Sequence, residues 1–144
     1  MNNAIEFLKT QVGKDATNSP SPLMQWLNPI LISVKEDNLI FEYEIRKEWL
    51  NPSGSLHGGI TAAIVDDTIG ATVFSFGEPS AYTTINNVVD YFSTAHEGQT
   101  IIAETQTIKK GKKIINVQCE IWNNSKARLI AKGYSNLLRI EKQI

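Results

Sequence analysis

The chain has 144 residues and a formal net charge of -1, with 42% hydrophobic and 20% charged residues. That balance excludes a disordered chain, and nothing in it argues for nucleic acid or an anionic membrane as a partner. The length suits one domain over residues 1–144. No apolar run approaches the ~20 residues that span a bilayer. Met1–Phe7 lacks the basic and apolar regions of a signal peptide. The single cysteine, Cys119, allows no internal disulfide. Together these features lead us to expect a cytoplasmic protein.

Residues 1–29 read as an N-terminal helix and loop. Ile5, Leu8 and Val12 recur at helical spacing, which predicts a helix over 2–13 stopped by Gly13. Residues 14–22 hold Asp15, Asn18, Ser19, Pro20 and Pro22 and read as a loop. Trp26, Leu27, Pro29 and Ile30 lead into a first strand near 30–36. Asp37-Asn38 marks a turn. Beyond it, Leu39, Phe41, Tyr43 and Ile45 alternate with Ile40, Glu42, Glu44 and Arg46, the period of a half-buried strand.

Residues 47–57, with Pro52 and Gly54, form a loop. A helix follows from Gly58 to about Phe76, ended by Gly77-Glu78-Pro79-Ser80. Its apolar residues are spread around it, as in a helix surrounded by protein. At ~28 Å it matches a strand of eight or nine residues in length. Four strands follow, at 81–93, 100–110, 112–123 and 127–139. Lys110-Gly111-Lys112 reads as a tight hairpin with Gly111 at positive φ, and Asn123–Lys126 as a second turn. The fold class is therefore α+β, one long helix and a six-stranded antiparallel sheet. One helix covers only one face of such a sheet. The strand at 81–93 is apolar on both sides, so a homodimer at least is expected.

One stretch carries chemistry. Asn51–Gly59 is a loop rich in small residues that runs into the N-terminus of the apolar helix. Helix-terminal N–H groups stabilise charge that develops on a carbonyl oxygen. Gly58 and Gly59 let a substrate approach the backbone, and Asn51 adds an amide donor. Asp66 and Asp67 stand in the middle of the helix, where a carboxylate serves either as base or nucleophile or as a hydrogen-bonded structural group. His57 can act as base, as orienting group or as loop donor. His96 lies in a turn and reads as solvated. His57, His96, Asp66 and Asp67 lack a metal-ligand spacing, so no metal is expected. Cys119 reads as an inert core thiol. Lys110 and Lys112, with Lys109 and Lys113, flank Gly111 as a solvated turn or a phosphate contact.

The pattern Asn51-x-x-Gly54-x-Leu56-His57-Gly58-Gly59-x₆-Asp66 resembles the hotdog-fold acyl-CoA thioesterases of the phenylacetate-pathway type, over roughly residues 30–140. The resemblance implies a long central helix wrapped by the sheet. It implies hydrolysis of acyl-CoA to free acid and coenzyme A, with coenzyme A as part of the substrate and no cofactor. Asp66 would be nucleophile or general base. The Gly58 N–H, with Asn51, would polarise the thioester carbonyl. His57 would hold the loop or the thioester end, and Thr84 would orient water. Gly59, Lys110, Gly111 and Lys112 would contact substrate. Such sites form across a dimer, and dimers pair into a homotetramer. Two residues depart from the pattern. Asp67 stands beside Asp66, and Thr84 stands where serine is common. A non-catalytic acyl-CoA binder and a hotdog hydratase or dehydratase are the alternatives.

Overall fold

Alternation along the strands decides which face of the sheet is buried. The protein is described here by a computed structural model covering residues 1–141; residues 142–144, the end of the expected domain, lie outside the described residues. Helix α1 (Asn3–Gln11) and helix α2 (Pro22–Leu27) precede strands β1 (Ile30–Lys35) and β2 (Asn38–Glu44). A 3-10 turn (Lys47–Trp49) leads to helix α3 (Gly58–Phe74). Strands β3 (Ala81–Tyr91), β4 (Thr100–Lys110), β5 (Ile114–Asn123) and β6 (Leu129–Ile140) complete the chain. The six strands form one sheet in the order β1-β2-β4-β5-β6-β3, with every neighbouring pair antiparallel.

The long helix packs on one face of this sheet, as expected for the α+β class. Leu39, Phe41 and Tyr43 of β2 and Ile115, Val117, Cys119 and Ile121 of β5 are buried beneath it. They meet Ile64, Val65 and Ile69 of α3 in one apolar cluster. Strand β3 is an edge strand, and Thr83 through Val88 are all exposed.

Three local expectations need correction. Residues 22–27 form a helix, where a loop running into a strand was expected. Ser21 caps it by accepting from the Met24 amide, Pro22 opens it, and Asn28 closes it in the left-handed region at φ 50°. Gly111 does not adopt positive φ; its backbone N–H bonds the Ile114 carbonyl, and β5 begins only at Ile114. A Cβ at Gly111 would lie 2.7 Å from that same carbonyl oxygen, so glycine is needed there for space. Finally, α3 is not enclosed on all sides. Its buried face includes Thr61, Thr68 and Thr72, while Asp66, Gly70 and Phe74 are exposed. Thr68 and Thr72 donate to carbonyls four residues back. Those bonds make burial of their hydroxyls tolerable.

Candidate active site

The loop before α3 is built by Asn51. Its side-chain oxygen accepts from the amides of Ser53 and Ser55 at 3.0 and 3.1 Å, and its Nδ2 donates to Ser55 Oγ at 3.0 Å. One Nδ2 proton remains for another partner. Gly54 turns the loop at φ +81°. The His57 amide bonds the Trp49 carbonyl at 2.8 Å, fixing where the helix starts.

His57 is the N-cap of α3. Its Nδ1 accepts from the Gly59 amide at 2.8 Å, which places the imidazole proton on Nε2, facing out. Gly59, expected to contact substrate, thus has its N–H already hydrogen-bonded. The Gly58 amide is left at the helix end without a capping side chain. Tyr91 at the end of β3 clamps this terminus: its hydroxyl donates to the Gly58 carbonyl at 2.8 Å, and its ring would lie 3.4 Å from a Cβ on Gly58. Asn87, on the same strand, donates to the Ala62 carbonyl at 3.1 Å. Nothing in the sequence signalled these two contacts, because they join α3 to a strand met only after the helix ends.

The second half of the site is a cavity of about 950 Å³. Asp66, Asp67 and Gly70 of α3 and Thr84 of β3 lie on one side of it. Phe7, Met24 and Leu31 from the N-terminal segment and β1 line it as well. Among the bulky apolar residues Met24, Trp26 and Phe76, Met24 lines this cavity. Trp26 instead stacks against Arg46, and Phe76 lies under the Lys110 ammonium. A register shift between Thr84 and Asn86 bends β3 beside the cavity.

Partial burial among these walls pushes the Asp66 carboxyl above its ordinary range. Burial pushes Asp67 further, to about 6, against the opposing effect of a Ser21 hydrogen bond and with a small addition from the Asp66 charge. The Ser21 hydroxyl donates to Asp67 Oδ1 at 3.3 Å, and Asp67 Oδ2 has no hydrogen-bond partner among the described residues. A carboxyl held towards neutral pH is suited to proton transfer.

Asp66 lies eight residues beyond Gly58 on the same helix. That places them ~12 Å apart along the axis. Asn51, His57, Gly58 and Gly59 do not line the cavity that holds Asp66 and Thr84. Within one chain, the amide donor and the carboxylate cannot meet the same carbonyl.

The lysine hairpin is only partly free. Lys110 pairs with Glu78 at 3.1 Å and lies 4.1 Å from the centre of the Phe76 ring. Glu78 also takes Arg139 at 2.6 Å and the Tyr82 hydroxyl. Lys112 is exposed, and Gly111 shapes the turn as described above. His96 is exposed, with Nδ1 3.3 Å from the Gly54 carbonyl oxygen. Burial pushes the Cys119 thiol up to about 12, as for an inert core cysteine. No group of three potential metal ligands occurs among the described residues, and no helix among them is long and apolar enough to cross a membrane.

The family model of the thioesterase superfamily matches residues 53–130, more than half of the chain. The chain belongs to the thioesterase superfamily. It is 30% identical to acyl-coenzyme A thioesterase 13 of Mus musculus over 105 residues, 72% of this chain and 74% of that one. Its fold is similar to that of the E. coli PaaI protein from the phenylacetic acid degradation operon. The TM-score is 0.81 at 19% identity, covering 99% of this chain and 98% of that one. A Streptococcus mutans protein solved with acetyl-CoA shares the fold at a TM-score of 0.74 and 20% identity, covering 81% and 92% of the two chains. The chain is thus a thioester hydrolase of the hotdog fold.

Proposed function

We propose that this chain hydrolyses acyl-CoA thioesters to a free acid and coenzyme A. The observation that carries the reading is Asp66. It stands on the wall of a partly apolar cavity, with its carboxyl raised by burial, in a chain of the thioesterase superfamily. The relative named acyl-coenzyme A thioesterase 13 and the fold neighbour bound to acetyl-CoA support the substrate class.

In this reading the active unit is a homodimer. The ~12 Å between Gly58 and Asp66 on one helix requires a second copy to complete each site. The exposed edge of β3 offers a place for it. The Gly58 N–H of one protomer, helped by the remaining Nδ2 proton of Asn51, polarises the thioester carbonyl. Asp66 of the partner attacks that carbonyl or takes the proton of an attacking water. Thr84, on the same cavity as Asp66, orients the water. His57 holds the loop through the Gly59 amide. Lys112, exposed at the hairpin beside Gly111, meets coenzyme A phosphates, and Lys110 joins it by leaving Glu78. Two such dimers form a homotetramer. The acyl-CoA pool and the lone buried thiol of Cys119 fit a cytoplasmic location.

Thiol release from a panel of acyl-CoA esters tests the reading. Asp66→Asn should remain folded and lose ~10²–10⁴-fold in kcat. Loss in Asp67→Asn with full activity in Asp66→Asn would move the chemistry to the neighbouring carboxyl. Tight binding of acyl-CoA without thiol release from any ester would make the chain a binder.

A further inference from the structure

The two adjacent aspartates of α3 face the same cavity but are held differently. Asp66 is exposed and makes no side-chain hydrogen bond among the described residues, as a reacting group requires. Asp67 is tied to Ser21, the residue that caps α2, so the N-terminal wall holds it in place. Its Oδ2 is buried and unpartnered among the described residues. Tyr43 of β2, whose buried hydroxyl is likewise unpartnered, feels the Asp67 charge. The ion pairs among the described residues leave both aspartates out, although Lys14 also lines the cavity; of the cavity's other carboxylates, Glu78 is matched by Lys110 and Arg139 and Asp15 is exposed.

We propose that Asp67 sets the charge selectivity of the acyl pocket, admitting uncharged acyl groups and excluding those that end in a carboxylate. The proposal rests on the acyl-CoA reading given above and deepens it. A fixed carboxylate among apolar walls is already costly, and a second anion brought beside it meets little screening. Like charges brought together in a closed interface cost enough to act as a discriminating element. Burial already raises the carboxyl, so at pH 8 it is ionised at a cost that a second anion compounds. Asp66 adds to the same field, but it is the group exposed at the reacting end. Asp67 is the one fixed by the N-terminal part of the cavity lining.

Binding of non-hydrolysable thioethers separates this from catalysis. S-hexyl-CoA and S-(5-carboxypentyl)-CoA are titrated calorimetrically at pH 8 into the wild type, Asp67→Asn and Ser21→Ala. The wild type should favour the uncharged thioether by at least ~10-fold, as expected for an unscreened like-charge contact. Asp67→Asn keeps an acceptor for Ser21 and should reduce that ratio by at least ~10-fold. Ser21→Ala keeps the charge and should keep the ratio. A ratio near one in the wild type overturns the proposal, as does a ratio unchanged in Asp67→Asn. Loss of the ratio in Ser21→Ala would also overturn it, by assigning selectivity to wall position and not to charge. Selective binding in a protein that releases no thiol from hexanoyl-CoA would leave the selectivity standing and defeat the hydrolase reading. Hydrolysis of hexanoyl-CoA without selective binding would do the reverse.

Discussion

Ser21 and Asp67 lie 46 residues apart in sequence and are joined by a 3.3 Å hydrogen bond. The bond fastens the start of α2 to the middle of α3 and brings an N-terminal residue to the wall that carries the candidate nucleophile.

Asp67 should make stability depend on pH. Its folded value of about 6 lies above the ordinary 3.8, so the folded state favours the neutral acid. That contribution is fully present below pH ~4 and is lost as pH rises through ~6. Asparagine stays neutral and still accepts from Ser21. Asp67→Asn should therefore raise stability by roughly 1–2 kcal/mol at pH 8, a figure reduced for the partial exposure of the group. The gain should shrink to nothing at pH 4. Thermal melts at the two pH values check this; an equal gain at both would mean that packing, not charge, is responsible.

His57 should act through the cap it forms. His57→Ala removes the acceptor for the Gly59 amide and should cost ~1 kcal/mol of stability. His57→Asn supplies another capping oxygen and should recover most of it. If the imidazole serves only to hold the Gly58 amide in place, activity returns along with stability in the asparagine variant. Denaturant midpoints and thiol release measured on both variants decide. Recovery of the fold without recovery of turnover would put the imidazole itself against the substrate.

Gly133 should not tolerate a side chain. A Cβ there would lie 2.7 Å from the Val88 carbonyl oxygen and 2.9 Å from Val65 Cγ1. Both neighbours are fixed, one in the edge strand and the other in the core. Gly133→Ala should cost roughly 1–3 kcal/mol. Urea unfolding should show a lower midpoint at unchanged slope, and an unaltered midpoint would mean that β3 lifts freely from β6.

The strands were legible where one face is buried and the other is not. The alternations at 39–45 and 115–121 match the buried residues of β2 and β5. Helix α2 was signalled by Ser21-Pro22, a cap followed by proline at the first helical position, but the prolines and serines around it obscured the signal. The open face of α3 was not legible because its buried face contains threonines, whose hydroxyls are satisfied by the helix's own carbonyls. Reading Asn51, His57, Gly58 and Asp66 as one cluster was possible from spacing. Their separation within one chain agrees with the resemblance, whose sites form across a dimer, and follows from eight residues of helical rise; which residues line the cavity was not legible. The Tyr91 clamp on Gly58 and the Ser21 link to Asp67 depend on pairings between distant segments, which no local pattern records.

The cavity walls come from two parts of the chain. Asp66, Asp67, Gly70 and Thr84 fall within residues 53–130, the span shared with the superfamily, whereas Phe7, Ser21, Met24 and Leu31 lie ahead of it. Exchange of the first 31 residues between relatives would recut the pocket and leave the sheet's central register and the helix that bears Asp66 and Asp67 untouched.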